Sequence, residues 1–387
     1  MTLDAMNLES SASRAPSRLR QAAAPYLFFL LGIVFATWAA RIPAIRDALQ
    51  LSAADLGLVL LCGGIGSVLS FPLASFLIGH YGARRAALQS GSILLVILAA
   101  QAWMPNRLCL MAGMTAMGAA ASSFDVAINA IGAELEKSGG RSIMSLLHAW
   151  FCVGTFGGAL LGSLLAGAEL DVHWHFGLIA ALQAVPLWLA FEALPRDHPD
   201  AALGKRSFAL PHGPLVMLGV IGFCGAIAEG SIGSWSGVFL EDRLHVGDGV
   251  APLGYAAFAA LMLAVRLIGD RLKDRFGARA VVATGALVAS IGTYGAVAAP
   301  NVAFAIAGFA LAGAGVATVF PFVFSSAGRH GATALAGVAT MGYSGSLIGP
   351  PVIGFAAHHF GMAAGMALVG TLNLAVAAAA LKARALD

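Results

Sequence analysis

Two acidic residues lie deep inside long apolar stretches of this sequence. Asp125 interrupts the run MAGMTAMGAAASSFDVAIN, in which Asn129 follows one helical turn later. Glu229 lies in AIAEGSIGSWSG, and no other charged residue occurs within ten positions on either side. An ionised side chain among so much hydrocarbon is costly unless it faces a cavity or a partner, and such residues usually carry function. Both acids are therefore candidates for binding a coupling proton, and Asn129 is a candidate for binding a substrate.

A histidine lies at a matching depth in the next apolar stretch. By the helical rise, His148 lies about 8 Å from the middle of its run, and Asp125 lies about 9 Å from the middle of its own run, on the same side. An aspartate beside an imidazole can exchange a proton near physiological pH, which is what proton coupling needs. We predict that Asp125 and His148 interact; the alternative is a permanent structural pair.

Four further side chains could contact a substrate. Arg41, in WAARIPAI, either extends to the outer interface or faces inward, where it would bind an anionic substrate or pair with Glu229. Trp38 and Trp235 hold nearly equivalent positions in the two halves of the chain and could stack on a sugar ring. Tryptophans of an interfacial aromatic belt would give the same pattern. Tyr343, in the glycine-rich stretch GYSG, is the fourth candidate.

The composition identifies an integral membrane protein. Of the 387 residues, 59% are hydrophobic and 11% are charged, whereas soluble domains carry about 25% charged residues. The basic residues are scattered singly between apolar runs, which excludes a nucleic-acid-binding patch. The cysteines and the paired histidines lack the spacing of a metal site, so we predict neither a metal nor another cofactor.

Twelve apolar runs are long enough to cross a bilayer, which takes about 17–25 residues each. Lysine and arginine decide the orientation, because seventeen lie in loops on the side of the N-terminus and three in the opposite loops. Both termini are therefore expected in the cytoplasm and the spans in the inner membrane. The runs are 25–45, 54–79, 84–104, 108–133, 142–166, 173–194, 213–238, 251–270, 278–299, 302–327, 334–357 and 361–381.

The second half of the chain repeats the first. Residues 81–84 (YGAR) align with 276–279 (FGAR) at an offset of 195, and Gly118 aligns with Gly313 at the same offset. One offset that holds across helices and turns indicates two parallel copies of a six-helix bundle. We predict a cytoplasmic tail, two bundles and the cytoplasmic linker between them, at 1–24, 25–194, 212–387 and 195–211 respectively.

Twelve spans in two parallel halves resemble the major facilitator superfamily. Its best-known signature is a short basic turn after the second span. The second copy of this turn, from Asp270 to Arg279, matches well, whereas the first copy has Gly79 where the acid is usual. The resemblance implies a cytoplasmic latch between the halves, in which Arg266 and Asp270 form a structural pair. We assign to this latch Gly82, Arg84, Arg85, Arg266, Asp270, Asp274, Arg275, Gly277 and Arg279.

The segments FDVAIN (124–129) and FPF (320–322) are similar to a bacterial branch of this superfamily near the fucose-type sugar permeases. The resemblance implies that spans one, four, seven and ten line a central cavity. It also implies that the two halves rock around this cavity and open it alternately to the two sides of the membrane.

These observations predict a secondary active transporter that works as a monomer in the lipid bilayer. The first choice is proton-coupled symport of a small polar organic solute, sugar-like or a related metabolite. An alternative is a proton-coupled exporter of drugs or metabolites, and a distant alternative is a transporter-like sensor or scaffold. The sequence has no HExxH or Gly-x-Ser-x-Gly motif, so we do not expect an enzyme.

Overall fold

A computed structural model describes residues 17–139, 143–195 and 211–386 of the chain. Within these ranges the regular structure is helical throughout. The first half contains α1 Ser17–Ala40, α2 Ile42–Ala48, α3 Ala53–Leu69, α4 Phe71–Tyr81, α5 Ala83–Gln101, α6 Arg107–Gly139, α7 Met144–Gly167 and α8 Val172–Ala193. The second half contains α9 Leu215–Leu244, α10 Leu253–Phe276, α11 Ala278–Val297, α12 Val302–Val316, α13 Val319–Arg329, α14 Ala332–Phe360, α15 Met362–Lys382 and a 3-10 turn at Arg384–Leu386.

In the described part of the chain, these helices form twelve long helical segments. Nine are long and apolar enough to cross a membrane, and the α3–α4 pair, bent by 40°, makes a tenth. The long helices α6 and α14, of 33 and 29 residues, complete the set. Helices suit this setting because a backbone in hydrocarbon must satisfy its hydrogen bonds internally. The predicted all-α membrane fold is confirmed.

Most predicted runs match the helices within a few residues, but some helices extend further. Helix α1 begins at Ser17, ahead of the predicted start at 25, and α9 continues to Leu244, past the predicted end at 238. Residues 1–16 of the predicted tail and 196–210 of the predicted linker lie outside the described residues. The division into tail, bundles and linker stays a prediction.

The sequence repeat reappears in the packing of small residues. A Cβ on Gly118 would lie 1.8 Å from the carbonyl oxygen of Gly63, so α3 and α6 touch through their backbones. The counterpart Gly313 makes the same approach between α10 and α12, where a Cβ would lie 2.0 Å from the carbonyl oxygen of Phe258. Phe258 follows Gly63 by the same offset of 195. Close glycine contacts of this kind are how helices pack in lipid.

The two halves meet along two pairs of helices, α7 with α10 and α3 with α14. We call the end of the bundle that carries Ser17 and Leu386 the terminal end, and the opposite end the far end. At the far end, Arg46 of α2 binds two acids of α9, with Nη2 2.9 Å from Glu241 Oε2 and Nη1 2.7 Å from Asp242 Oδ1. We call these three residues the far-end clasp.

Further contacts close the far end beside this clasp. The Ser163 hydroxyl of α7 donates to the carbonyl of Gly249 in the α9–α10 loop. A Cβ on Gly249 would lie 2.6 Å from the Cα of Gly167, so this loop and the end of α7 touch through their backbones. At the terminal end, the contacts that the structure gives for Arg84, Lys273 and Arg279 stay within their own halves. The far end therefore carries several contacts that join the two halves.

Candidate functional site

The centre of the bundle holds an ion pair between α9 and α10. Arg266 Nη2 lies 3.6 Å from Glu229 Oε1, and the two side chains are 15% and 24% exposed. The other carboxylate oxygen of Glu229, Oε2, is buried and has no hydrogen-bond partner among the described residues. A buried acceptor without a partner costs free energy, about 1–3 kcal/mol for a neutral group and more for a charged one. Glu229 Oε2 is thus a hydrogen-bond acceptor that the described residues leave unsatisfied.

This pair corrects the predicted pairing of Arg266 with Asp270. Asp270 is exposed toward the terminal end, whereas the guanidinium of Arg266 is directed to Glu229. Side chains on a helix lean toward its N-terminus, which for α10 means away from Asp270 and toward the level of Glu229. Arg266 is therefore part of the central site.

Arg266 also makes two contacts that the sequence did not predict. Its Nη1 donates to the thiol of Cys152 on α7 at 2.8 Å, which joins the two halves of the molecule. Its Nε donates to the carbonyl of Ala317 at 3.2 Å. That carbonyl lies in the break between α12 and α13, where carbonyls leave the helical ladder. The available signal for Cys152 was its position one turn after His148 on the same helical face.

Small residues bring α7 and α10 close together beyond this contact, toward the far end. Ala159 of α7, Ala256 of α10 and Ala36 of α1 form one buried cluster. The ring of Tyr255 packs against Gly233 of α9, where a Cβ would lie 3.3 Å from the ring. Gly233 follows Glu229 by one turn, so the glycine leaves room for Tyr255 next to the acid.

Asp125 and Asn129 interact with each other as neighbours on one helical face. The Asn129 amide donates to Asp125 Oδ1 at 2.9 Å and to the Asp125 carbonyl at 2.8 Å. His148 is exposed on α7, and its ring packs edge-on against Phe28 of α1, 5.2 Å between centroids. Helix α7 packs mainly on α1 and α10, whereas α6 packs mainly on α3 and α5. The predicted interaction between Asp125 and His148 stays a prediction.

Arg41 lies near the far end and is 3% exposed. Its Nε donates to His175 Nδ1 at 2.9 Å and its Nη2 to the carbonyl of Leu170 at 2.7 Å. The predicted alternative that Arg41 pairs with Glu229 is corrected, since Glu229 pairs with Arg266. The predicted role of Arg41 in binding an anion stays a prediction.

A cavity of about 610 Å³ opens next to Arg41, and its lining includes Glu169, Asp171 and Asp248. Hydrogen bonds from the backbone N–H and the ring of His173 lower the pKa of Asp171. This carboxylate is therefore ionised at neutral pH, and it helps to balance the charge of Arg41 across the cavity.

The two candidate tryptophans are buried, Trp38 at 5% and Trp235 at 0% exposure. The ring of Trp38 lies 6.2 Å from that of Phe176 on α8, and Trp235 packs against Gly354 of α14. In this conformation neither ring lies in a surface belt or offers an open face to a sugar. The side chain of Tyr343, on α14, lies outside the described residues.

The basic turns after the second span of each half have the same backbone. Gly82 and Gly277 each lie directly before a helix. Their own φ angles are positive, 83° and 79°, a conformation that favours glycine. Arg84 donates to the carbonyl of Leu194 at 3.2 Å, and Arg279 donates to that of Leu381. Of the other predicted latch residues, Arg266 belongs to the central pair, and four are exposed, namely Arg85, Asp270, Asp274 and Arg275. The latch between the halves stays a prediction.

A family model described as the Major Facilitator Superfamily matches residues 26–344. The chain belongs to the major facilitator superfamily. Because the members of this superfamily are transporters, the protein is a transporter and not an enzyme. It is a multi-pass membrane protein.

Superfamily relatives cover nearly the whole chain. Membrane protein MosC of Rhizobium meliloti is 34% identical over 378 residues, which cover 94% of this chain and 90% of that protein. An uncharacterized MFS-type transporter of Yersinia pestis is also 34% identical, over 94% of this chain and 96% of that protein. The similarity to the fucose-type branch stays a prediction.

Solved structures with low sequence identity share the fold. A mutant of the nucleoside transporter NupG has a TM-score of 0.76 at 14% identity and covers 95% of this chain and 100% of that one. A bacterial homolog of the human lysosomal transporter Spinster, in an inward-facing and occupied conformation, has a TM-score of 0.75 at 15% identity, covering 93% and 95%. These similarities support the arrangement of the helices.

Proposed function

We propose that this protein is a secondary active transporter that carries a small polar organic solute, sugar-like or a related metabolite, together with protons. The proposal includes symport across the inner membrane, with both termini in the cytoplasm and the far end at the periplasm. It rests on one observation above all, the half-buried Glu229–Arg266 pair beside the interface of the two halves in a superfamily of transporters.

The geometry of this pair suits reversible proton binding. Glu229 Oε2 has no hydrogen-bond partner in the part of the chain that the structure describes, and Oε1 is beyond hydrogen-bond distance of Arg266, so the carboxylate is poorly satisfied while ionised. A proton would remove the unsatisfied charge, and a solute hydroxyl could donate to the same oxygen. Ionisable groups at membrane depth in transporters serve such roles by default.

Solute recognition would use the polar groups around this pair. Arg266 offers donors, Glu229 offers acceptors, and the exposed ring of His148 can do either. Asp125 and Asn129 would add a second polar position on α6. This mixture of donors and acceptors suits a solute that carries several hydroxyl or amine groups.

Proteoliposomes test the proposal directly. Purified protein is reconstituted with a pH-sensitive dye inside, and inward gradients of sugars, polyols, amino sugars, nucleosides and carboxylates are applied in turn. Symport predicts that an accepted solute enters and acidifies the lumen, whereas proton antiport by an exporter predicts that it becomes alkaline. Entry of solute without any pH change would refute proton coupling.

A matched pair of variants tests the role of the central acid. Glu229→Gln removes the titrating group and is expected to abolish solute-driven acidification. Glu134→Gln, an exposed position at the terminal end of α6, makes the same chemical change away from the site and is expected to leave it intact. Acidification that persists in Glu229→Gln would refute the assignment of this residue.

A further inference from the structure

Arg266 is shared between the two halves of the molecule. One terminal nitrogen, Nη1, donates to Cys152 on α7 in the first half at 2.8 Å. The other, Nη2, faces Glu229 of its own half at 3.6 Å, which is too far for a hydrogen bond. The guanidinium is thus held more closely by the neutral thiol across the interface than by the carboxylate beside it.

Cys152 lies on the face of α7 that meets the second half. It is fully buried, and the same face carries Ala159, Ser163 and Gly167, all of which contact the second half or lie against it. When the halves rock, the distance between α7 and α10 changes, and a side-chain contact between them changes with it. The bond from Arg266 to Cys152 is therefore tied to the conformation of the transporter.

A thiol is a weak hydrogen-bond acceptor, which matters at this position. A carboxylate at position 152 would hold the guanidinium strongly and resist the separation of the halves. An apolar residue would offer nothing, and the guanidinium would turn toward Glu229. Sulfur lies between these cases, since it positions the charge and still releases it at a small free-energy cost.

We propose that Cys152 is a positioning residue that links the state of the central ion pair to the conformation of the two halves. In the conformation with the far end closed, the sulfur holds Arg266 away from Glu229 and leaves the carboxylate ready for a proton or solute. When the halves part, Arg266 loses the sulfur and moves onto Glu229 or a bound anionic group. This inference rests on the proposed function, because it concerns the same Glu229–Arg266 site.

Hydrogen–deuterium exchange on the full-length protein in nanodiscs tests the inference without any substrate. The readout is the exchange rate of the far-end segments 163–171 and 247–252, which become accessible when the far end opens. Cys152→Ala is expected to raise the exchange rate roughly fivefold, as for the loss of one ordinary hydrogen bond. Cys152→Ser keeps an acceptor and is expected to restore the wild-type rate.

Two controls separate positioning from packing. Cys224→Ala removes a thiol that is also buried but lies in the second half on α9, and it is expected to leave far-end exchange unchanged. In a Glu229→Gln background, the effect of Cys152→Ala is expected to grow, because the carboxylate to which the released guanidinium of Arg266 would turn is gone.

The inference is overturned if Cys152→Ser exchanges like Cys152→Ala, or if Cys152→Ala exchanges like Cys224→Ala. An unchanged effect in the Glu229→Gln background would also overturn it. Since exchange needs no solute, such a result would leave solute-driven proton flux to be judged separately. An absence of proton flux would, in turn, not alter the exchange rates.

Discussion

Removing the far-end clasp should open the far end of the molecule. Arg46 is the single cation between Glu241 and Asp242 in this clasp, and its side chain is 14% exposed. Both acids belong to the second half, whereas Arg46 belongs to the first, so Arg46→Ala removes two bonds that cross between the halves. It also removes the bond from Arg46 Nε to the exposed carboxylate of its neighbour Asp47, within the first half.

The size of the effect follows from the geometry and exposure of these bonds. Hydrogen bonds to charged groups contribute about 1.5–3 kcal/mol each. The Asp242 side chain is 39% exposed, so water screens its bond to Arg46 and that bond contributes little. The Glu241 side chain is only 18% exposed, so its bond to Arg46 supplies most of the stabilisation. We therefore expect Arg46→Ala to reduce the free-energy preference for the closed far end by about 2 kcal/mol. This lowers the closed-to-open ratio roughly thirtyfold.

Distances between spin labels measure this equilibrium. The labels are attached to cysteines introduced by Glu169→Cys and His245→Cys, at exposed far-end positions of the first and second halves. The half-buried Cys62 and Cys109 are replaced by serine so that they are not labelled. Arg46→Ala is expected to increase the population at longer distances, and the double substitution Glu241→Gln with Asp242→Asn is expected to do the same.

Arg107→Ala is the matched control for this experiment. It breaks the ion pair between Arg107 and Asp55, which lies at the same end but within the first half. This control should leave the label distances unchanged. If Arg46→Ala and Arg107→Ala give the same distance distribution, the far-end clasp does not hold the halves together and the reasoning is refuted.

Two further predictions concern the scaffold and the second acid. Gly118→Leu should destabilise the protein by about 1–3 kcal/mol, because a Cβ there meets the Gly63 carbonyl oxygen. Thermal unfolding measures this effect, with Gly157→Leu as the control because Gly157 has open space around it. Equal melting temperatures for the two variants would contradict the packing argument. Asp125→Asn should abolish proton-driven solute uptake in the proteoliposome assay, because an amide cannot exchange the coupling proton; full uptake by this variant would exclude Asp125 from coupling.

Glu229 illustrates how far the sequence could predict the site. Its isolation in an apolar run was enough to select it, because an unpaired charge at membrane depth is costly wherever the helix points. Its partner could not be predicted in the same way. The sequence suggested Arg41 as one possible partner and paired Arg266 with Asp270, whereas the actual partner, Arg266, depended on the rotation and lean of two helices.

The position of Cys152 one helical turn after His148 was its only sequence signal, and it did not indicate a contact with the second half. Cysteine in an apolar run is most often a small packing residue, and Arg266 lies 114 positions away along the chain. Similarly, Trp38 and Trp235 were chosen by type and repeat position. Their burial against Phe176 and Gly354 follows from helix packing, which composition does not encode.

The sequence by itself determined that this chain is an all-α membrane protein built as two copies of one bundle. Hydropathy and the length of the apolar runs suffice for the first conclusion, because the backbone of such a run must satisfy its hydrogen bonds within a helix when it lies in hydrocarbon. The duplication is visible because matching residues recur at an offset of 195. Only the tertiary structure decided that α7 faces α10, that Arg266 joins Glu229 to Cys152, and that Arg46 pairs with two acids of the other half. These contacts depend on the rotation and tilt of helices far apart in sequence, which side-chain packing sets and local periodicity does not.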